Sequence, residues 1–150
     1  MSEQALIEAV DIRPMIEKDF PFVISTWLKS YRYNSPFGKK LKNAIYFKFH
    51  HAIAERVLKR QSCRVYIGCS REDPDIILGY IIFELLDTPE AFNIVHYIYT
   101  KESFRKLGIA ARLFNKTNID LDKVSFTHWT TDCFWINKKH PEITHNPYLI

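Results

Sequence analysis

The sequence predicts one α/β (α+β) domain with a single mixed, mainly antiparallel central sheet flanked by helices. Three observations carry this reading. Runs rich in β-branched and aromatic residues at 64–69, 76–86 and 92–100 are joined by short links with turn chemistry, which require antiparallel neighbours. Two stretches with apolar residues at helical spacing precede them, at 20–31 and 41–59. Residues 94–117 then read strand, glycine turn, helix, and a strand that follows such a crossover lies parallel to the one before it. At 150 residues, 47% hydrophobic and 15% aromatic, the chain buries one sizeable core, so residues 1–150 are expected to form one domain.

Taken in order, residues 9–13 suit a short first strand, and Asp19 is placed to cap a helix that tolerates Pro21 in its first turn. That helix buries Phe20, Val23, Ile24, Trp27, Leu28 and Tyr31, an i, i+3, i+4, i+7 stripe, and residues 34–38 break it. A second helix over 41–59 is expected to bury Leu41, Ile45, Phe49, Ala52, Ile53 and Val57. Tyr46, Phe47 and His50 fall off that stripe, as candidates either to line an acceptor site or to pack against the sheet. The three strands follow, with turns at 71–75 and 87–90. A helix over 109–118, a strand over 123–129, a short helix over 132–139 ended by Pro141, and an extended tail at 146–150 complete the chain.

Composition excludes several classes. Four Gly, seven Pro and no low-complexity tract argue against disorder. No apolar run approaches the roughly 20 residues of a membrane span, and Met1 to Leu6 lacks the basic start of a secretory leader, so a soluble, cytoplasmic protein is expected. Cys63, Cys69 and Cys133 are too scattered for a disulfide framework or a zinc site, and the six histidines show no metal spacing, so no metal is expected. The net charge of +4 hides an asymmetry. Lys29, Arg32, Lys39, Lys40, Lys42, Lys48, Arg56, Lys59, Arg60 and Arg64 face the single acid Glu55, a net +9 over residues 29–64. Such a region suits nucleic acid, cofactor phosphates or an acidic protein face, or is simply a solvated basic surface.

Arg105-Lys106-Leu107-Gly108-Ile109-Ala110 reads R-x-x-G-x-A between an apolar strand and a helix start. The first turn of a helix presents unpaired N–H groups and the positive end of the dipole, and glycine lets main chain approach an anion closely. This makes the turn a candidate pyrophosphate cradle.

The order β, α, α, β, β, β, α, β, α with this motif after the fourth strand resembles the GNAT superfamily of acyl-CoA-dependent N-acyltransferases over nearly the whole chain. The stretch 98–113, with aromatic Phe104 just before Arg105, carries the resemblance most strongly. Tyr31-Arg32, His96-Tyr97-Ile98-Tyr99, Thr127-His128-Trp129-Thr130 and Asn146-Pro147-Tyr148 are similar to a phage- or prophage-borne branch. The resemblance implies acetyl-CoA as acyl donor, bound by amides of Lys106, Leu107, Gly108, Ile109 and Ala110 with Arg105 supporting the loop. It implies that main chain of Ile98, Tyr99 and Thr100 pairs with the pantetheine where the fourth and fifth strands splay apart.

N-acylation needs a neutral amine, hence a base titrating near neutrality. His96, which alternates with Ile98 and Thr100 along its strand, is the first choice, with Glu84 and His128 behind it. The family often protonates the departing thiolate with a tyrosine soon after the fifth strand, but residues 132–139 contain none, which leaves Tyr148, Cys133 or water. Two functions follow. One is transfer of an acetyl or short acyl group to a primary amine on a protein, a small molecule or aminoacyl-tRNA. The other is a CoA-binding scaffold with little or no turnover that binds a macromolecule, nucleic acid first, through residues 29–64.

Overall fold

The computed structural model describes residues 3–86 and 93–150. Its helices are α1 (Glu3–Ala9), α2 (Phe20–Asn34), α3 (Pro36–Lys40), α4 (Asn43–Leu58), α5 (Ile109–Lys116) and α6 (Thr131–Lys139). Its strands are β1 (Val10–Pro14), β2 (Cys63–Ser70), β3 (Ile77–Glu84), β4 (Asn93–Thr100), β5 (Val124–Phe126) and β6 (Thr144–His145). Among the described residues they form one six-stranded sheet in chain order. The expected turn at 87–90 and Phe92 lie outside the described residues.

Strands β1 to β4 are antiparallel, as the short β2–β3 and β3–β4 links require of those two pairs, and β5 runs parallel to β4 after the α5 crossover. A second crossover through α6 places β6 parallel to β5. All eight residues of β3 are buried, which is why Ile77-Leu78-Gly79-Tyr80-Ile81-Ile82-Phe83 reads as a continuous apolar run. Helices α2 and α4 cover one face over Val23, Trp27, Leu28, Tyr46, Ala54 and Val57, while α5 covers the other with Ile109, Leu113 and Phe114. No described helix is long and apolar enough to cross a membrane.

Between β3 and β4 the register shifts. Ile82 faces Tyr97 and Phe83 faces Val95, so His96 is an extra residue in β4. The bulge sends Val95 toward the α5 side and Tyr97 toward the α2 side although they are two apart. Alternation along β4 therefore cannot be counted straight through His96 to Ile98 and Thr100.

Four expectations change. The α2 stripe is buried as predicted from Val23 to Tyr31, but the Asp19 side chain does not cap the helix; it accepts hydrogen bonds from Arg13 at 2.6 and 3.0 Å and from the Ile16 amide at 2.9 Å. The opposite charge on β1 outcompetes the helix amides for that carboxylate. Helix α4 is rotated from the predicted stripe: Tyr46, His50, Ala54, Val57 and Leu58 are buried, whereas Ile45 and Phe49 are 45% and 59% exposed. Polar tips decide this, because Tyr46 donates its hydroxyl hydrogen to the Leu28 carbonyl at 2.6 Å and His50 meets His128. The fifth strand is shorter than 123–129. The tail is not extended either: the last strand is Thr144–His145, and Pro147–Leu149 form a 3-10 turn in which Asn146 Oδ1 accepts the Tyr148 amide.

Candidate active site

Pairing between β4 and β5 covers Asn93, Ile94 and Val95, with a last bond from the Thr127 amide to the Val95 carbonyl at 3.2 Å. Beyond it Ile98, Tyr99 and Thr100 have β3 on one side and no β5 partner on the other. The strands therefore splay at Thr127, and a main-chain edge of β4 stands available for an extended ligand.

The turn that follows has the backbone an anion cradle needs. Lys106 and Gly108 take φ of 64° and 85°, the left-handed conformation that turns neighbouring amides to one side. For Lys106 that conformation is strained, and such strain gathers at ligand sites. Gly108 is the N-cap residue of α5, and no side chain caps the helix there. A Cβ built on Gly108 would meet nothing within 4 Å, so the space in front of the turn is open. Arg105 donates from Nε to the Thr100 carbonyl at 3.1 Å, tying the loop to the end of β4. The residues fit a pyrophosphate: main-chain donors, a helix N-terminus and two exposed cations. Beside them a groove of about 440 Å³ is lined by Thr26, Lys29, Ser30, Tyr33, Asn34, Tyr99, Glu102 and Arg105. Ser30 of this lining shares a hydrogen bond with the buried Tyr97 hydroxyl at 2.8 Å.

At the vertex of the splay the structure brings together all three sequence-derived base candidates. His96 is fully buried, its Nε2 2.5 Å from Glu84 Oε2 and its Nδ1 2.9 Å from Thr127 Oγ1. Thr127 Oγ1 is in turn 2.8 Å from His128 Nδ1, and His128 Nε2 is 3.0 Å from His50 Nε2. Glu84 also accepts from Ser62 and, at 3.1 Å, from Arg60. Burial works to raise the Glu84 carboxyl, but the hydrogen bonds from Ser62 and His96 and the charges around it hold it below its usual range. Burial pushes His96 below its ordinary value despite the carboxylate, takes His50 down to about 4, and with the help of neighbouring imidazoles holds His128 well below its ordinary value. The imidazoles are neutral at pH 7 and the carboxylate is charged.

The two donor candidates differ in burial. Tyr148 is 92% exposed on the C-terminal turn, which Arg60 anchors through the Leu149 carbonyl at 3.0 Å. Cys133 is buried at the start of α6, with Sγ 3.8 Å from the His128 carbonyl, and burial raises its thiol. Ser62 carries no signal of its own as a site residue, Arg60 enters only through the basic 29–64 region and Thr127 only through the 127–130 resemblance, while His50 is expected either to line an acceptor site or to pack against the sheet. The contact between His50 and His128 is long-range and leaves no local pattern. A lone carboxylate ending the apolar run 77–84 was the available hint for Glu84.

No family model matches the chain, and no curated protein matches it by sequence. Solved structures do match. YycN of Bacillus subtilis superposes with a TM-score of 0.66 at 13% identity, over 89% of this chain and 89% of that one. The histone acetyltransferase HPA2 and related acetyltransferase of Corynebacterium glutamicum gives 0.56 at 15%, over 73% and 70%. The ribosomal-protein-alanine N-acetyltransferase of Brucella melitensis gives 0.52 at 17%, over 92% and 79%. The sheet order, the parallel β4–β5 pair and these superpositions establish that the chain has the fold of the GNAT acetyltransferases.

Proposed function

We propose that the protein is an N-acyltransferase that moves an acetyl or short acyl group from acetyl-CoA to a primary amine. The observation that carries this is the open, uncapped turn at Lys106 and Gly108 directly following a strand whose outer edge is free. Amides of Lys106 to Ala110 take the pyrophosphate, Arg105 holds the loop, and Ile98, Tyr99 and Thr100 present main chain to the pantetheine. CoA supplies the activated acyl group, and the chain supplies orientation and proton handling. Both nitrogens of His96 are occupied by Glu84 and Thr127, so His96 serves as base through its hydrogen-bonded neighbours rather than by direct contact with the amine. Tyr148, free on its exposed turn, is assigned to protonate the departing thiolate.

The test is a ligand-induced stability shift followed by a transfer assay. Acetyl-CoA at one hundred times its dissociation constant should raise stability by ~2.7 kcal/mol. Thiol release should then depend on an added primary amine, screened as an alanine-starting peptide, a lysine peptide and aminoacyl-tRNA. Absence of a shift with every short acyl-CoA would overturn the proposal.

A second reading, a macromolecule-binding scaffold, is favoured by two exposed cation–ring pairs. Lys39 lies over the Tyr33 ring at 5.3 Å and Lys48 over Phe49 at 5.5 Å, and these rings are 76% and 59% exposed. Cations interleaved with exposed rings suit single-stranded nucleic acid. Binding of a labelled oligonucleotide that weakens steeply with salt, together with CoA binding but no transfer, would favour it.

A further inference from the structure

Five polar side chains from four segments of the chain form an unbroken line inside the protein. From Glu84 on β3 it passes to His96 at the β4 bulge, to Thr127 and His128 just beyond β5, and to His50 on α4, with successive separations of 2.5, 2.9, 2.8 and 3.0 Å. Its members are nine-tenths or more buried.

The line has a direction. An ionised Glu84 only accepts, so His96 Nε2 carries the hydrogen. A neutral imidazole has one N–H, so His96 Nδ1 accepts and the Thr127 hydroxyl donates to it. With its hydrogen committed, that hydroxyl accepts from His128 Nδ1–H. His128 Nε2 is then left to accept from His50 Nε2–H. Every donor points toward Glu84, and the lone pair left over is His50 Nδ1, which no described residue hydrogen-bonds. His50 is 9% exposed, stacked between the rings of Tyr31 and Tyr46 at 5.0 and 5.1 Å.

We propose that Glu84, His96, Thr127, His128 and His50 form a proton relay that accepts a proton at Nδ1 of His50 and passes it along the line to the Glu84 carboxylate. A new N–H bond forms at His50 Nδ1 as the donor's bond to hydrogen breaks, and the His50 Nε2 hydrogen moves to His128 Nε2. The His128 Nδ1 hydrogen passes to Thr127, the Thr127 hydrogen to His96 Nδ1, and the His96 Nε2 hydrogen to Glu84. Each imidazole ends neutral with its hydrogen on the other nitrogen, and the carboxylate alone gains a proton. The reverse sequence restores every tautomer and returns the proton. Only the identity of the proton's source, the acceptor amine, rests on the acetyl-transfer reading; the relay stands on the geometry.

Other ionisable groups face this line. Arg60 and Ser62 hold the Glu84 end. His145 of β6 and Cys133 of α6 lie beside His128, the rings of Tyr31 and Tyr46 stack on His50, and Tyr97 packs edge-on against Tyr31. The test must therefore read each imidazole separately.

Nitrogen-15 NMR of the intact protein at pH 7 should show Nε2–H on His50 and His96 and Nδ1–H on His128. As pH falls, the three should exchange tautomers together before any becomes an imidazolium. In Glu84→Gln, which lacks the terminal carboxylate, each should titrate singly with no joint exchange. Starting tautomers other than these, or an imidazolium on any of the three before the exchange, would overturn the relay. A second arm uses thiol release from acetyl-CoA with an alanine-starting peptide, provided that transfer is first detected. Thr127→Val should lower kcat roughly 100-fold, with acetyl-CoA affinity unchanged, and Thr127→Ser should restore it. Full activity in Thr127→Val would also overturn the proposal. Absence of transfer in the unsubstituted protein would count against the acetyl-transfer reading, and the NMR arm would still decide the relay.

Discussion

His50 and His128, 78 positions apart, meet Nε2 to Nε2 at 3.0 Å and tie α4 to the vertex where β4 and β5 part. One of the two donates, so the contact forms only while at least one ring is neutral, and burial disfavours charge on both. Stability should consequently depend on pH with a definite sign. The unfolded histidines take up protons below their ordinary value near 6.5, whereas folded His50 resists until about 4. The unfolded state thus binds more protons in this window, and stability falls as pH drops through it, by about 1.4 kcal/mol per pH unit for each fully suppressed histidine. Thermal denaturation should show a level Tm between pH 7 and 8 and a steep decline from 6.5 to 4. A Tm that is flat from 6.5 to 4.5 would contradict neutral burial of this pair.

The two faces of α4 should respond oppositely to substitution. Tyr46→Phe removes the hydroxyl that satisfies the buried Leu28 carbonyl and should cost about 1–2 kcal/mol. Ile45→Ser and Phe49→Ser act on exposed side chains and should change stability by about 0.5 kcal/mol or less. Urea denaturation of the three variants decides it. Large losses at Ile45 and Phe49 with none at Tyr46 would restore the face expected from apolar periodicity.

That helix shows where sequence reading ends. The α2 stripe was legible because its inward side chains are mostly apolar and periodic. In α4 the inward positions include Tyr46 and His50, whose burial depends on a carbonyl of α2 and an imidazole after β5, partners that no local window contains. The turn proposed as a cradle can be marked in the sequence for the opposite reason, since its consecutive main-chain amides and one glycine lie within six residues. His96, Glu84 and His128 each stood out as polar residues in apolar strands. Thr127 enters only within the 127–130 resemblance and with no role attached, because a buried threonine gains its meaning from the two imidazoles it joins.

Gly108 separates backbone strain from ligand exclusion. Gly108→Ala adds a Cβ into open space but forces alanine to φ of 85°, which should cost about 1 kcal/mol of stability. Gly108→Glu carries the same strain and adds a negative side chain where the pyrophosphate is to sit. The alanine variant should weaken acetyl-CoA binding moderately, and the glutamate variant should abolish the ligand-induced Tm shift at an equal loss of intrinsic stability. Equal binding by both variants, measured by calorimetry, would remove the pyrophosphate from this turn.

Gly79 offers a test of the free β4 edge from behind. A Cβ at Gly79 would fall 2.5 Å from the Tyr99 carbonyl oxygen and 3.3 Å from Ile109 Cγ2. The first contact is with main chain, so relief requires β3 and β4 to move apart opposite Tyr99 and Thr100, the segment assigned to the pantetheine. The second contact is with the first residue of α5, one of those proposed to present amides to the pyrophosphate. Gly79→Ala should therefore cost about 2 kcal/mol, within the range for overpacking a core, and should weaken acetyl-CoA binding although the residue lies on β3, away from the proposed ligand edge. Gly68→Ala is the control, since its Cβ would meet ordinary contacts at 3.6 Å and beyond on the neighbouring strand. Calorimetry with acetyl-CoA on both variants, below their melting temperatures, separates lost binding from lost folding. If Gly79→Ala binds as tightly as Gly68→Ala while less stable, the position of β4 opposite Tyr99 does not govern the ligand.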